Sequence, residues 1–433
     1  MRANLLAALI GVLCVAGCGG GTVLGGGTSG GGGTTPTGSN VQAITVDTGP
    51  TVLVNAGTPA VNTAYTIVTV CSPGSTTNCQ TIDHIQVDTG SSGLRILGSA
   101  LTISLPLQVD SNSNVIAECT PFADGFAWGP IRQADVKVGG ETASTQEVQI
   151  IGDAAYPTIG AGCPGSPGTT GTTENTVTSF GANGILGVGP FIQDCGAACE
   201  QLNTGSPPVY FTCPSPSSCS PSIMVPALQV ANPVASFATD NNGVIIQLPS
   251  VGSAGAAAVD GYLIFGIGTQ SNNGLGNAAI LTVDASGSFT TTYKQSSLTR
   301  SFIDSGSNAY YFPLDSSIFV CGSDGKQTNA NGFYCPTTTL ALSATMVLNP
   351  TTGASLSVGF NVADANSLFS SSTVIAAAGN LAAPVTSVNN TGGSSNSLGD
   401  SFDWGLPFYY GRSVYTAIEG RNTSGGQGPY FAF

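Results

Sequence analysis

The sequence predicts an all-β protein built from two related halves. Three observations carry this. Charged residues make up only 7% of the 433, while glycine alone numbers 60. Apolar residues fall in short alternating runs. One ten-residue frame occurs twice.

Ordinary globular domains are about a quarter charged. Here Gly, Ser, Thr and Asn fill that share. Helices usually show Glu, Lys and Arg on their wet faces, so this composition suits strands and tight turns better. At 41% hydrophobic, the chain can bury a core. Its length exceeds one ordinary core, so two cores or one large two-lobed unit are expected. The formal net charge is −14. The basic residues Arg95, Arg132, Lys137, Lys294, Arg300, Lys326, Arg412 and Arg421 are scattered. Nucleic-acid binding needs clustered positive charge, so no nucleic-acid partner is expected. His84 is the one histidine. Any Ser-His-Asp or Cys-His site would have to use it, and a multi-histidine metal site is excluded.

The N-terminus reads as an export signal over residues 1–18: Arg2, the apolar run 5–15, then V-A-G-C ending at Cys18. The run is too short to span a bilayer. V-A-G-C resembles the lipobox of bacterial lipoproteins. That resemblance implies cleavage before Cys18, a lipid on its sulfur and a membrane tether; with Gly19 next, it implies delivery to the outer membrane of a two-membrane cell envelope. An ordinary secretory signal is the alternative. Residues 19–40 are a Gly/Ser/Thr linker, spanning roughly 25 Å as a random coil.

Setting aside Cys14 and Cys18 leaves ten cysteines of the twelve. An even number in an exported chain favours disulfides. Spacing suggests Cys71–Cys79, Cys195–Cys199 and Cys213–Cys219 as local loops. Cys321–Cys335 would be a fourth pair and Cys119–Cys163 would remain; connectivity stays open. No C-x-x-C pair supports a metal site.

The runs TVLVN, YTIVTV, HIQVD, LRIL, ADVKV, EVQII, GVIIQL, GYLIFGI, FIDSG and ATMVL are separated by turn residues and read as strands. Short helices are expected near 190–203, 224–231 and 361–371.

The repeated frame is V-D-T-G-S-S-G-L-R-I at 87–96 and I-D-S-G-S-N-A-Y-Y-F at 303–312. Two copies suggest two similar lobes that face each other. A carboxylate at a strand end, followed by a Gly turn, can be aimed into a cleft. Two such carboxylates in contact cannot both ionise cheaply, so Asp88 and Asp304 would share a proton. One member would act as base on a water and the other as acid toward a carbonyl. Thr89, Ser91, Ser305 and Ser307 would hold the carboxyls by hydrogen bonds, and Gly90 and Gly306 would permit the tight loops. This chemistry needs no cofactor and no metal. Asp47-Thr48-Gly49 is a third D-T-G, but Pro50 follows it; it reads as a turn.

At these residues the chain resembles the pepsin-like aspartic peptidase family. F-A-D-G-F-A-W-G-P-I-R-Q-A-D-V-K-V-G-G (122–140) is similar to the family's flap hairpin, with Phe122, Asp124 and Gly125 at its tip. N-G-I-L-G-V-G-P (183–190) resembles the strand that crosses behind the first catalytic loop. Segments 236–249 and 262–268 resemble the start of a second lobe, 404–419 looks like its closing strand pair, and G-P-Y-F-A-F resembles the family's C-terminus. The resemblance implies a bilobal double-β-barrel with pseudo-twofold symmetry, lobes at 41–240 and 241–433, a peptide or protein substrate, and a monomer. Three positions depart from the family. Phe122 stands for the flap tyrosine, Arg95 for a tryptophan, and Pro407 for the glycine of the second lobe's apolar-apolar-Gly motif. The pattern is also similar to a group of bacterial lipoproteins of unknown function. Two readings follow: a peptidase, or a pepsin-fold lipoprotein that binds peptides or serves as envelope structure without turnover.

Among other residues, His84 lies four positions before Asp88 and by strand alternation would share its face. It reads as a hydrogen-bonded structural residue, with tuning of the pair as the lesser alternative. Phe402, Trp404, Phe408, Tyr409 and Tyr410 read as core of the second lobe. Asp400 and Asp403 lie close by but lack the D-[ST]-G frame.

Overall fold

The computed structural model describes residues 36–433, apart from 124, 167–168, 170, 203–206, 327, 372 and 386–397. It is mostly β, 42% strand against 9% helix. The first half runs β1 (Val41–Val46), α1 (Thr51–Ala56), β2 (Ala64–Cys71), β3 (Cys79–Asp88), β4 (Ser92–Leu97), β5 (Val115–Pro121), β6 (Phe126–Val138), β7 (Glu141–Ile151), α2 (Val177–Phe180), β8 (Gly184–Val188), β9 (Tyr210–Ser215) and β10 (Ser218–Pro221). Strands β2, β3, β8, β4, β7 and β6 pair in that order, and β6 returns to β2 to close a six-stranded barrel. β8 inserts between β3 and β4, parallel to the first and antiparallel to the second. It is buried along its whole length, as a strand covered on both faces requires.

The second half repeats that order. β11 (Gly243–Leu248), β12 (Val259–Phe265), β13 (Ile280–Thr282) and β14 (Phe289–Tyr293) lead to β15 (Ser296–Ile303) and β16 (Tyr310–Pro313). The hairpin β17 (Leu340–Asn349) and β18 (Ala354–Val362) follows, then α3 (Ala365–Phe369), β19 (Ala382–Val385), β20 (Asp403–Trp404) and β21 (Arg412–Ala417). β20 inserts between β15 and β16, parallel to β15 and antiparallel to β16, as β8 does between β3 and β4. β16 runs parallel to β19 as β4 runs parallel to β7. β18, β17, β14, β15, β20, β16 and β19 pair in that order as an open half-barrel.

The halves are joined by more than a linker. β1 pairs through all six residues with β12, and β12 pairs with β11, which pairs with β21. One fifteen-stranded sheet therefore runs across both. The principal core is equally shared, with Ile44, Val87 and Leu186 in the same cluster as Ile303, Phe402 and Trp404. Phe402, Trp404, Phe408, Tyr409 and Tyr410 are all buried, as expected.

Most of the predicted runs are strands, but TVLVN is helix α1. Gly57 stops it in the left-handed region, at φ 75°, with its N–H on Leu53 and Val54 carbonyls. One buried side chain, Leu53, faces in, so local capping outweighs the β-branched composition. The expected helices appear as short turns at Gly196–Glu200 and Pro226–Leu228 and as α3. Segment 404–419 is not a strand pair: β20 lies in the half-barrel and β21 in the large sheet. Asn40, assigned to the linker by composition, is fully buried, and its amide donates to the Phe265 carbonyl at 2.9 Å. All five disulfides join the pairs that spacing suggested. Among the described residues no helix is long and apolar enough to cross a membrane.

Candidate functional site

The two copies of the repeated frame meet where β3 and β15 end. Each loop holds its own carboxyl in the same way. Asp88 Oδ1 accepts the Gly90 N–H at 2.7 Å, and Asp304 Oδ1 accepts that of Gly306 at 2.7 Å. The Ser91 hydroxyl donates to Asp88 Oδ2, and the Ser307 hydroxyl to Asp304 Oδ2.

The loops also interlock. The Thr89 N–H donates to Ser305 Oγ at 3.1 Å, and the Ser305 N–H to Thr89 Oγ1 at 3.0 Å. Each hydroxyl then reaches the other half's strand, Thr89 to the Ile303 carbonyl and Ser305 to that of Val87. Thr89 Oγ1 also bonds the Tyr409 hydroxyl at 2.8 Å. Both hydroxyl residues are buried, so this four-bond grip is shielded from water.

The grip presses the carboxyls together. A Cβ on Gly90 would lie 2.6 Å from Asp304 Cγ, and one on Gly306 would lie 2.5 Å from Asp88 Oδ1. No other residue type fits at either point. The same Cβ on Gly306 would also lie 3.0 Å from Asp304 Oδ1, so the two carboxyls are neighbours. Burial, then the neighbouring charges of Asp88 and Asp403, then the bond with Asp88 hold Asp304 well above the usual carboxyl range, against the pull of the Gly306 N–H.

The pair opens on a cleft of about 980 Å³. Phe122 lines it from the β5–β6 hairpin, where its N–H donates to the Gly125 carbonyl. The Phe122 ring packs edge-on against Phe180 at 5.5 Å. Asp124 lies outside the described residues, as does Cys18. Gly125 packs closely on Glu174, another cleft residue.

Sequence reasoning noted Asp403 but set it aside for lacking the D-[ST]-G frame. It lines the cleft and is 7% exposed. Its Oδ1 is buried with no hydrogen-bond partner. Burial holds its carboxyl well above the usual range, against Ser307's pull and with the Asp88 charge adding to the rise. In the repeated topology, Leu186 lies opposite Val87 and Trp404 opposite Ile303. Asp403-Trp404-Gly405 is therefore the counterpart of Ile185-Leu186-Gly187. The glycine assigned to Pro407 is present after all, as Gly405; a Cβ there would meet the Ala309 carbonyl oxygen at 2.2 Å. The usable signal was spacing: Ile185 follows Asp88 by 97 positions, and Asp403 follows Asp304 by 99.

Two other residues lie away from the pair. His84 sits on a bulge of β3 with φ 47°, which breaks the alternation that would have put it on the Asp88 face. Its imidazole meets Asp47 at 3.6 Å and Asp83 at 3.3 Å, and the Asp47 contact raises its pKa most. Asp47 in turn accepts the Gly49 N–H, the turn expected of the third D-T-G. Arg95 does not line the cleft. It is 1% exposed, with its guanidinium on Glu118 at 2.7 Å and Asp194 at 2.8 Å.

No curated protein matches the chain. Residues 36–433 match the family described as "Protein of unknown function (DUF3443)". With the match covering most of its length, the chain belongs to that family.

Proposed function

We propose that the protein is an aspartic peptidase on a bilobal, pepsin-like double-barrel fold, with Asp88 and Asp304 as its catalytic pair. The observation that carries this reading is the reciprocal seat of the two carboxyls. Matched loops, matched hydrogen bonds and two glycines without room for a side chain serve no evident purpose except contact between two acids. The strand order repeated around each loop supports the fold assignment.

A peptide lying in the cleft places its scissile carbonyl over the pair. Asp304 holds the shared proton and donates it to the carbonyl oxygen. Asp88 takes a proton from a water as the water oxygen bonds to the carbonyl carbon. The tetrahedral diol then collapses. The C–N bond breaks, the nitrogen takes the proton from Asp88, and a diol hydroxyl returns one to Asp304. The products are an acid and an amine. Thr89, Ser305 and Tyr409 keep the loops fixed throughout, so little reorganisation accompanies the charge shift. Lipid on Cys18 would hold the enzyme, as a monomer, at the outer membrane.

The test is a diverse peptide library offered to the full chain between about pH 3 and 7. Cleavage is expected, and Asp88→Asn and Asp304→Asn should each lower it at least about a hundredfold with the thermal midpoint kept. A wild type that cuts nothing, or either variant at full activity, overturns the mechanism. A second reading, peptide binding without turnover, is favoured by Phe122, whose ring brings no hydroxyl to the cleft. It predicts peptide affinity without products and no tight binding of a statine-type mimic of the diol.

A further inference from the structure

The cleft gathers acidic side chains. Asp88, Glu174, Asp304 and Asp403 line it, and no Lys, Arg or His does among the described residues. Each of these carboxyls that ionises adds to a negative potential that a low-dielectric cleft focuses. The two flanks of the aspartate pair also differ. On the first-half flank stands Ile185; at the twofold-related place on the other stands Asp403, and both line the cleft. Asp403 is more than nine-tenths buried, and its Oδ1 has no partner. Buried carboxyl oxygens are ordinarily satisfied, and this unsatisfied carboxyl belongs to a residue that lines the cleft, where a bound ligand can bring it a donor.

We propose that Asp403 makes the second-half flank of the cleft a subsite for a cationic side chain, a lysine or arginine of the bound peptide, opposite an apolar subsite at Ile185. The proposal rests on the reading of the cleft as a peptide site. A cation beside Asp403 offsets the burial that disfavours its charged form, and it gives the under-bonded carboxyl a charge-assisted donor. An apolar side chain offers neither. The twofold repeat predicts apolar preference on both flanks; the substitution of a carboxyl for isoleucine breaks that symmetry on one side only.

The experiment uses matched octapeptides that carry lysine or norleucine at each central position in turn. Binding is measured by calorimetry on the full-length Asp88→Asn variant, and cleavage on the wild type. At one position the lysine peptide should bind at least about tenfold tighter than its norleucine match. Adding Asp403→Asn or Asp403→Ile should remove that ratio; the first variant keeps the side-chain shape, and each is checked for a cooperative thermal transition. Equal binding of the two peptides at every position overturns the subsite. So does a lysine preference that survives both substitutions, and so does an Asp403 effect confined to the pH profile of cleavage, which would mean action through Ser307 alone. A wild type that shows the binding preference but cuts neither peptide sinks the peptidase reading and leaves the subsite standing. Cleavage without the preference does the reverse, and failure of every peptide to bind sinks both.

Discussion

At the scale of single residues, the site depends on atoms that are not there. Gly90→Ala or Gly306→Ala would drive a methyl group into the opposite carboxyl, at 2.6 and 2.5 Å. Since the grip of Thr89 and Ser305 resists separation, we expect a loss of about 1–3 kcal/mol, read by denaturant titration, along with loss of cleavage. Asp315 gives a pH-dependent case. Burial pushes its pKa up, but contact with Lys294 and bonds from Ser317 and Tyr293 outweigh this and bring it down to about 2. A depressed carboxyl stabilises the fold above its unfolded pKa, about 4. That contribution is lost as pH falls toward the folded value of about 2. Asp315→Asn should therefore flatten the stability curve between about pH 4 and 2; an unchanged slope would remove Asp315 from the acid response. Residues of this kind were unevenly legible. Asp88 and Asp304 showed in the sequence because a whole frame repeats around them. Asp403 did not, because the residue that makes it unusual also disguises the motif: an acid in the first place of an apolar-apolar-Gly triplet.

At the scale of elements, the β5–β6 hairpin is fixed along its first strand. The Cys119–Cys163 disulfide ties β5 to the loop beyond β7. Arg95 on β4 clamps Glu118 and bonds Thr120 on the same strand. Arg95→Leu would strand Glu118 and Asp194 as buried charges, and should cost about 3–5 kcal/mol by thermal or chemical unfolding. Replacing Glu118 and Asp194 as well, by Gln and Asn, should recover much of that loss. The disulfides should rank by loop size. Removal of Cys119–Cys163, 44 residues apart, should cost about 4 kcal/mol, and removal of Cys195–Cys199, 4 apart, about 2. Strands were well read because alternation survives in sequence: nine of the ten quoted runs lie in or overlap strands. The exception, TVLVN, has strand-like residues, but its shape is set by a left-handed glycine two residues beyond its end.

At the scale of the whole molecule, two related halves were legible and their junction was not. A run such as VQAITV announces a strand without naming its partner, and the partner here is β12 in the other half. A boundary at 240 therefore divides the repeat but not the folding unit. Residues 36–240 and 241–433 made separately should each lack a cooperative thermal transition, because each exposes an edge of the shared sheet and part of the shared core. Two sharp independent transitions would show that the halves are autonomous domains.

That shared sheet also sets a timetable for biogenesis. Asn40 caps the start of β1 by bonding Phe265, 225 positions further along. Ribosomes deliver roughly 5–20 residues each second. β2 reaches Thr45 and Val46 early, but the edge of β1 that β12 fills waits ten seconds or more, on the order of 225 residues at that pace. During that interval its unpaired edge is open to other chains.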